Sequence, residues 1–188
     1  QQNTDATAQK TVRDGHVAYW AKMRALNPNL RIVGNVHMNW LPSAEMAGKL
    51  DGAFLEGTMG KSWSQEGWNW DGMMARYHEA FTLTTGPKWV IFNIYASPTD
   101  YKMIRYGLAT SLLADGYYCP LSLTMASLWI DEFNAQIGKP LDAPVKAANS
   151  SGLWVRKYEN GMTLVNPSKT ATVTYSVGSG YKRFVGTQ

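Results

Sequence analysis

Apolar positions recur with two different periods along this chain, and the alternation between them predicts its elements. Over residues 9–26, Val12, His16, Tyr19, Trp20, Met23 and Leu26 recur at spacings of three and four, with Lys10, Arg13, Asp14, Lys22 and Arg24 between them. That is the pattern of an amphipathic helix. Pro28 ends it, because proline disfavours the helical conformation in the residue before it. Residues 30–36 then read as a β-branched strand that runs into His37, Asn39 and Trp40. Residues 50–56 read as a second, buried strand. The helical period returns over 68–83 with Trp70, Met73, Met74, Tyr77, Ala80 and Phe81, and Gly86-Pro87 closes it. Residues 89–95 form the clearest buried strand. Ser97-Pro98-Thr99-Asp100 is an N-cap signal for a helix over 100–113, and 117–121 is a short fourth strand.

Helix, strand, strand, helix, strand, helix, strand is the order of a parallel α/β sheet with right-handed crossovers. The pattern then changes. An apolar segment at 128–133 carries Asp131 and Glu132, and a proline-containing link leads to residue 150. From there 153–158, 162–165 and 170–177 read as antiparallel strands, the first two joined at Glu159-Asn160-Gly161, since Asn-Gly between alternating runs is a strong hairpin signal. The expected division is an α/β unit over 1–150 and an antiparallel appendage over 151–188.

Composition narrows the function classes. With 45% apolar and 17% charged residues the 188-residue chain is globular, and no run approaches the roughly 20 apolar residues of a membrane span. The net charge of +4 is scattered without a basic block, which speaks against nucleic-acid binding. One cysteine, Cys119, excludes an internal disulfide framework and reads as a buried, inert thiol. His16, His37 and His78 have no mutual ligand spacing, so no metal is expected, and without a GxGxxG fingerprint no nucleotide cofactor is expected either. His16, on the apolar stripe of the first helix, is expected to be packed or capped. Eight Trp and ten Tyr exceed what a core of this size needs, so some are expected to line a ligand cleft.

Chemistry concentrates at Leu50-Asp51-Gly52-Ala53-Phe54-Leu55-Glu56-Gly57, where an apolar run ends in a carboxylate between glycines. Reactive residues of barrel enzymes sit where buried parallel strands end, which makes Glu56 the first candidate. A solvated carboxylate just past a strand fits the same letters. The loop expected over 57–67 is long for its place, and such loops are usually functional or mobile. His37, Asn39, Asn93 and Tyr95 emerge near strand ends as candidate binders of sugar hydroxyls, with Trp40, Trp63 and Trp68 as stacking faces.

Several phrases resemble bacterial glycoside hydrolases of the TIM-barrel type: Arg13-Asp14-Gly15-His16-Val17, Asp51 through Gly57, Arg105-Tyr106-Gly107-Leu108-Ala109 with Ala114-Asp115-Gly116-Tyr117, and Trp129-Ile130-Asp131-Glu132-Phe133. The ending Trp154-Val155-Arg156-Lys157-Tyr158-Glu159-Asn160-Gly161 with Leu164-Val165-Asn166-Pro167 is similar to the β-rich close of such enzymes. The resemblance implies a carbohydrate ligand and a catalytic or substrate-binding carboxylate at Glu56. Glycosidic cleavage generally needs a second carboxyl group. Asp131 or Glu132 could supply it if the fourth strand continues into their segment; Asp71 and Glu66 suit the role less. A whole barrel takes about 200–250 residues, so about four strands before residue 150 read as the C-terminal half of a TIM-type (β/α) barrel, followed by a small antiparallel β segment. A chain starting at Gln1 reads as processed, trimmed or partial. Two copies are expected to pair about a two-fold axis and complete the barrel. The competing expectation is a non-catalytic half-barrel that binds carbohydrate or is purely structural.

Overall fold

In the computed structural model, which describes residues 5–37, 48–67, 69–148, 152–184 and 186–188, four parallel strands form one sheet in chain order. These are β1 (Val33–His37), β2 (Gly52–Met59), β3 (Trp89–Tyr95) and β4 (Tyr117–Leu121). Helix α1 (Ala6–Leu26) precedes them, α2 (Trp70–Leu83) links β2 to β3, and α3 (Tyr101–Ser111) links β3 to β4. Right-handed crossovers that always step the same way along a sheet leave their helices on one face. That face holds the core: Ala53, Leu55, Val90, Phe92 and Ile94 pack with Met73, Met74, Tyr77 and Ile104, all buried. The Tyr77 and Phe92 rings lie 4.7 Å apart. Each large apolar side chain removed from water here contributes about 1.5–3 kcal/mol. Asp100 caps α3 as the sequence predicts, its carboxylate accepting from the Met103 amide at 3.0 Å.

The parallel registers set Phe54, Glu56, Ile91, Asn93, Tyr95, Tyr117 and Cys119 on the opposite face. Phe54 and Ile91 are half-buried there, and Tyr117 is exposed.

Helix α1 departs from expectation. It begins at Ala6, where Asp5 accepts from the amides of Thr7 and Ala8, and none of its residues is buried. Of the predicted stripe, Trp20 and Met23 are half-buried while Val12, Tyr19 and Leu26 are exposed, and Arg13, Val17 and Arg24 share the half-buried face. His16 is exposed rather than packed, with Nδ1 3.0 Å from the Val12 carbonyl oxygen. What ties α1 to the sheet is charge: Arg24 pairs with the buried Asp51 at 2.8 Å.

Strand β2 is longer than the apolar run suggested. Gly57 takes a φ of +62°, a conformation that favours glycine, and the pairing with β3 shifts register between Leu55 and Met59. The chain bulges and rejoins the sheet, so Glu56 lies within the strand and not at its end.

A second, antiparallel sheet contains β5 (Val145–Lys146), β6 (Trp154–Tyr158) and β7 (Gly161–Val165). The β6–β7 hairpin forms as predicted, but neither Asn160 nor Gly161 has a positive φ. The turn is held by tertiary contacts instead: the Asn160 amide donates to the Ile137 carbonyl at 2.9 Å, and Glu159 accepts from the Lys139 amide at 2.9 Å. Thr163 anchors the sheet to α3 by donating to the Ala109 carbonyl at 3.0 Å. The strand expected over 170–177 has no ladder. Asn166 and Ser168 close tight side-chain turns onto the amides of Ser168, Thr170 and Ala171, which steer the chain away from β7. The result is an α/β fold with the arrangement of a partial barrel followed by a small antiparallel segment.

Candidate functional site

Glu56 projects from β2 onto the face away from α2 and α3, and both of its oxygens are occupied. Tyr95 of β3 donates its hydroxyl to Oε1 at 3.0 Å, and Asn35 of β1 donates Nδ2 to Oε2 at 3.1 Å. Three adjacent strands therefore orient one carboxylate through two neutral donors. Tyr95 is buried, and burial, followed by its bond to Glu56, pushes its phenol above the ordinary value. It stays a proton donor at neutral pH.

The geometry rests on the bulge. Asn93 is fully buried; its Oδ1 accepts from the Gly57 amide at 2.9 Å and its Nδ2 donates to the Cys119 carbonyl at 2.9 Å. Thr58 donates back to the Asn93 carbonyl. Asn93 thus cross-links three strands beneath Glu56 and offers no open hydroxyl-binding group. Tyr95 likewise serves as the donor to Glu56.

Beyond the bulge, residues 60–67 fold back over the strand ends. A Cβ at Gly57 would lie 2.1 Å from Cη2 of the exposed Trp63, so the indole lies directly over this glycine. Gly60, with φ +87°, packs so closely on β3 that a Cβ would stand 1.7 Å from the Tyr95 carbonyl oxygen. Lys61 follows it and sets Nζ over the Tyr95 ring, 4.1 Å from the centroid. Glu66, on a short 3₁₀ turn (Gln65–Gly67), accepts from the Gly60 amide through Oε1 at 3.4 Å, while among the described residues its buried Oε2 has no hydrogen-bond partner. Burial raises its carboxyl above the usual range, opposed by backbone amides including that of Gly60 and by the charge of Lys169.

Of the remaining expected site residues, His37 closes β1 in register with Glu56, whereas Asn39, Trp40 and Trp68 lie outside the described residues. Asp131 and Glu132 are not brought to Glu56. The chain turns back after β4, with Leu121 bridged to Ser127, and Phe133 packs edge-on against Tyr118 at 5.8 Å. Tyr118 donates its hydroxyl to the Ile104 carbonyl of α3, which places this segment on the helix side of the sheet. There Glu132 pairs with Arg105, and Asp131 accepts from the Thr187 amide at 2.8 Å and hydroxyl at 2.7 Å. The Thr187 hydroxyl and amide, with Gln188, hold the Asp131 carboxyl below its usual value. Asp131 thus clamps the C-terminal residues directly, and Glu132 holds Arg105, which donates to the Gln188 carbonyl.

Asn35 is the site residue that sequence reasoning missed, with no local signal to mark it, while Lys61 lies in the long 57–67 loop that the sequence singled out without giving it a role. Two concavities elsewhere do not involve Glu56. One, at the far end of the sheet, is lined by His78, Lys88, Asp115 and Arg156; the other lies between α3, β7 and residues 177–184. Among the described residues no cluster of three or more His, Cys, Asp or Glu could hold a metal ion.

No curated protein matches the chain. The sequence model of hypothetical glycosyl hydrolase family 15 matches residues 1–162, a span that includes Asn35, Glu56, Lys61 and Tyr95, and the chain belongs to that family.

Proposed function

We propose that this is a carbohydrate-active protein that works through Glu56, and that its partial barrel is of the TIM type. The observation carrying the reading is the Glu56 carboxylate, held by Tyr95 and Asn35 on the sheet face away from the helices. A carboxylate so oriented can accept a sugar hydroxyl, take a proton from water, or attack an anomeric carbon. Trp63 beside it offers a stacking face for a sugar ring. The test is hydrolysis of aryl glycosides and oligosaccharides by the wild type and by Glu56→Gln. Turnover that Glu56→Gln abolishes is expected; turnover that it leaves intact overturns the assignment.

A second reading is favoured by one feature. Among the described residues, no second carboxyl group is bonded to Glu56, Asn35 or Tyr95, although cleavage generally uses two. A half-barrel that binds sugar without turnover, or that self-associates through its open face as a structural module, fits this. Sugar binding without hydrolysis would select it.

A further inference from the structure

We propose that the saccharide bound beside Glu56 is anionic, carrying a carboxylate or sulfate group, and that Lys61 recognises that group. The inference rests on reading Glu56 as part of a carbohydrate site.

Three arginines drawn into this fold come with carboxylates. Arg24 pairs with Asp51, Arg105 with Glu132, and Arg156 with Asp115. Lys61 is half-buried too, yet among the described residues its ammonium makes no ion pair; it rests on the Tyr95 ring, 4.1 Å from the centroid. The position is built. Gly60 is wedged against the Tyr95 carbonyl. The Lys61 amide donates to Ser64 Oγ at 3.0 Å, the Lys61 carbonyl accepts from the Ser64 amide at 3.0 Å, and Ser64 Oγ donates to the Gly57 carbonyl at 2.6 Å. The turn that carries Lys61 is thereby tied to the bulge that carries Glu56.

Lys61 makes no ion pair with Glu56, whose oxygens accept from Asn35 and Tyr95. One tyrosine therefore has a carboxylate at its hydroxyl and an ammonium on its ring face. A ring uses only one side of the ammonium, so the other donors stay open to a ligand. A neutral hydroxyl accepts a hydrogen bond from the ammonium but leaves its charge unbalanced, whereas a carboxylate or sulfate accepts the bond and supplies the opposite charge. A sugar whose charged substituent meets Lys61 sets its neighbouring oxygens toward Glu56.

The experiment is binding of the full chain to an immobilised panel of uronic-acid oligosaccharides, sulfated oligosaccharides and neutral counterparts of the same backbones. Wild type, Glu56→Gln and Lys61→Met are compared, with Lys182→Met as a surface-charge control and thermal melting as a fold control. The expected result is roughly tenfold or greater preference for acidic over neutral members, the scale of one charge-assisted contact. That preference persists in Lys182→Met and is lost in Lys61→Met, and the uronic and sulfated arms identify the anion. No acidic preference, or one that survives Lys61→Met, overturns the inference. Hydrolysis of neutral sugars that needs Glu56 would sink it while leaving the Glu56 assignment standing. Lys61-dependent acidic binding without turnover would do the reverse.

Discussion

The Tyr95 hydroxyl reaches across from β3 to Oε1 of Glu56 at 3.0 Å, and the same tyrosine carries the Lys61 ammonium on its ring. The phenol is thus the joint between the acid and the cation of the site. Tyr95→Phe keeps the ring and removes only the hydroxyl. One hydrogen bond to a charged group is worth about 1.5–3 kcal/mol, so under the proposed role of Glu56 in hydrolysis kcat is expected to fall roughly ten- to a hundredfold. Thermal unfolding should show an intact fold, and Glu56→Gln combined with Tyr95→Phe should cost little beyond Glu56→Gln alone.

Gly57 makes the bulge possible. Its φ of +62° is unfavourable for any side chain, and the indole of Trp63 fills the space a Cβ would need. Gly57→Ala is expected to destabilise the fold by about 1–2 kcal/mol from backbone strain alone. It should also displace Trp63 and loosen the bond from the Gly57 amide to Asn93. Denaturant unfolding measures the first effect; tryptophan emission and acrylamide quenching measure the second.

How much of this was legible follows from the range of the interactions. The third strand was readable residue for residue because a strand buried in a parallel sheet is marked by its own apolar run, and the fourth, which begins exposed at Tyr117, was readable from its place after Asp115-Gly116. The position of α1 was not: its apolar stripe was visible, but which side turns inward depends on Arg24 finding Asp51, 27 residues away. Asn35 shows the same limit within the site. Nothing around it suggests a role, and it meets Glu56 only because β1 and β2 pair with His37 opposite Glu56. Residues 170–177 show the converse, an alternating pattern that promises a strand where the turns at Asn166 and Ser168 withhold a partner.

Asp51 anchors α1 and makes stability depend on acid pH. Burial works to raise its carboxyl, but the Ile32 amide and the guanidinium groups of Arg24 and Arg31 outweigh that and hold it below the ordinary 3.8. A depressed folded value means the contribution is present above about pH 3.8 and is lost as pH falls through the lower folded value. Asp51→Asn should cost about 1–3 kcal/mol at neutral pH, and the gap to wild type should close in strong acid. Melting curves between pH 2 and 7 check this.

Glu66 has the opposite sign. Its folded carboxyl is raised above the ordinary 4.5 by burial, so the protonated form is the one the fold favours. Its stabilisation is complete below about pH 4.5 and is lost as pH rises through the folded value. Glu66→Gln mimics the protonated acid and fills the space beside the Gly60 amide. The variant should melt at a higher temperature than wild type at pH 8 and at nearly the same temperature at pH 4. Equal melting temperatures at both values would show that burial of Glu66 carries no cost.

The face that bears Glu56 also bears Phe54 and Ile91, both half-buried, and Tyr117, which is 57% exposed at the β4 side. Apolar residues on one face of a parallel sheet are ordinarily covered, since such sheets are buried on both sides. A second copy related by a two-fold axis would cover the Phe54, Ile91 and Tyr117 row of this face with the same residues. Light scattering on a sizing column is therefore expected to report a dimer, and Tyr117→Lys, which places like charges across that axis, should shift it to monomer without lowering the helix content. A wild-type chain that stays monomeric and melts cooperatively at micromolar concentration would show that the face needs no second copy. Tyr117→Lys that dissociates the dimer but leaves sugar binding intact would separate assembly from the work of Glu56 and Lys61.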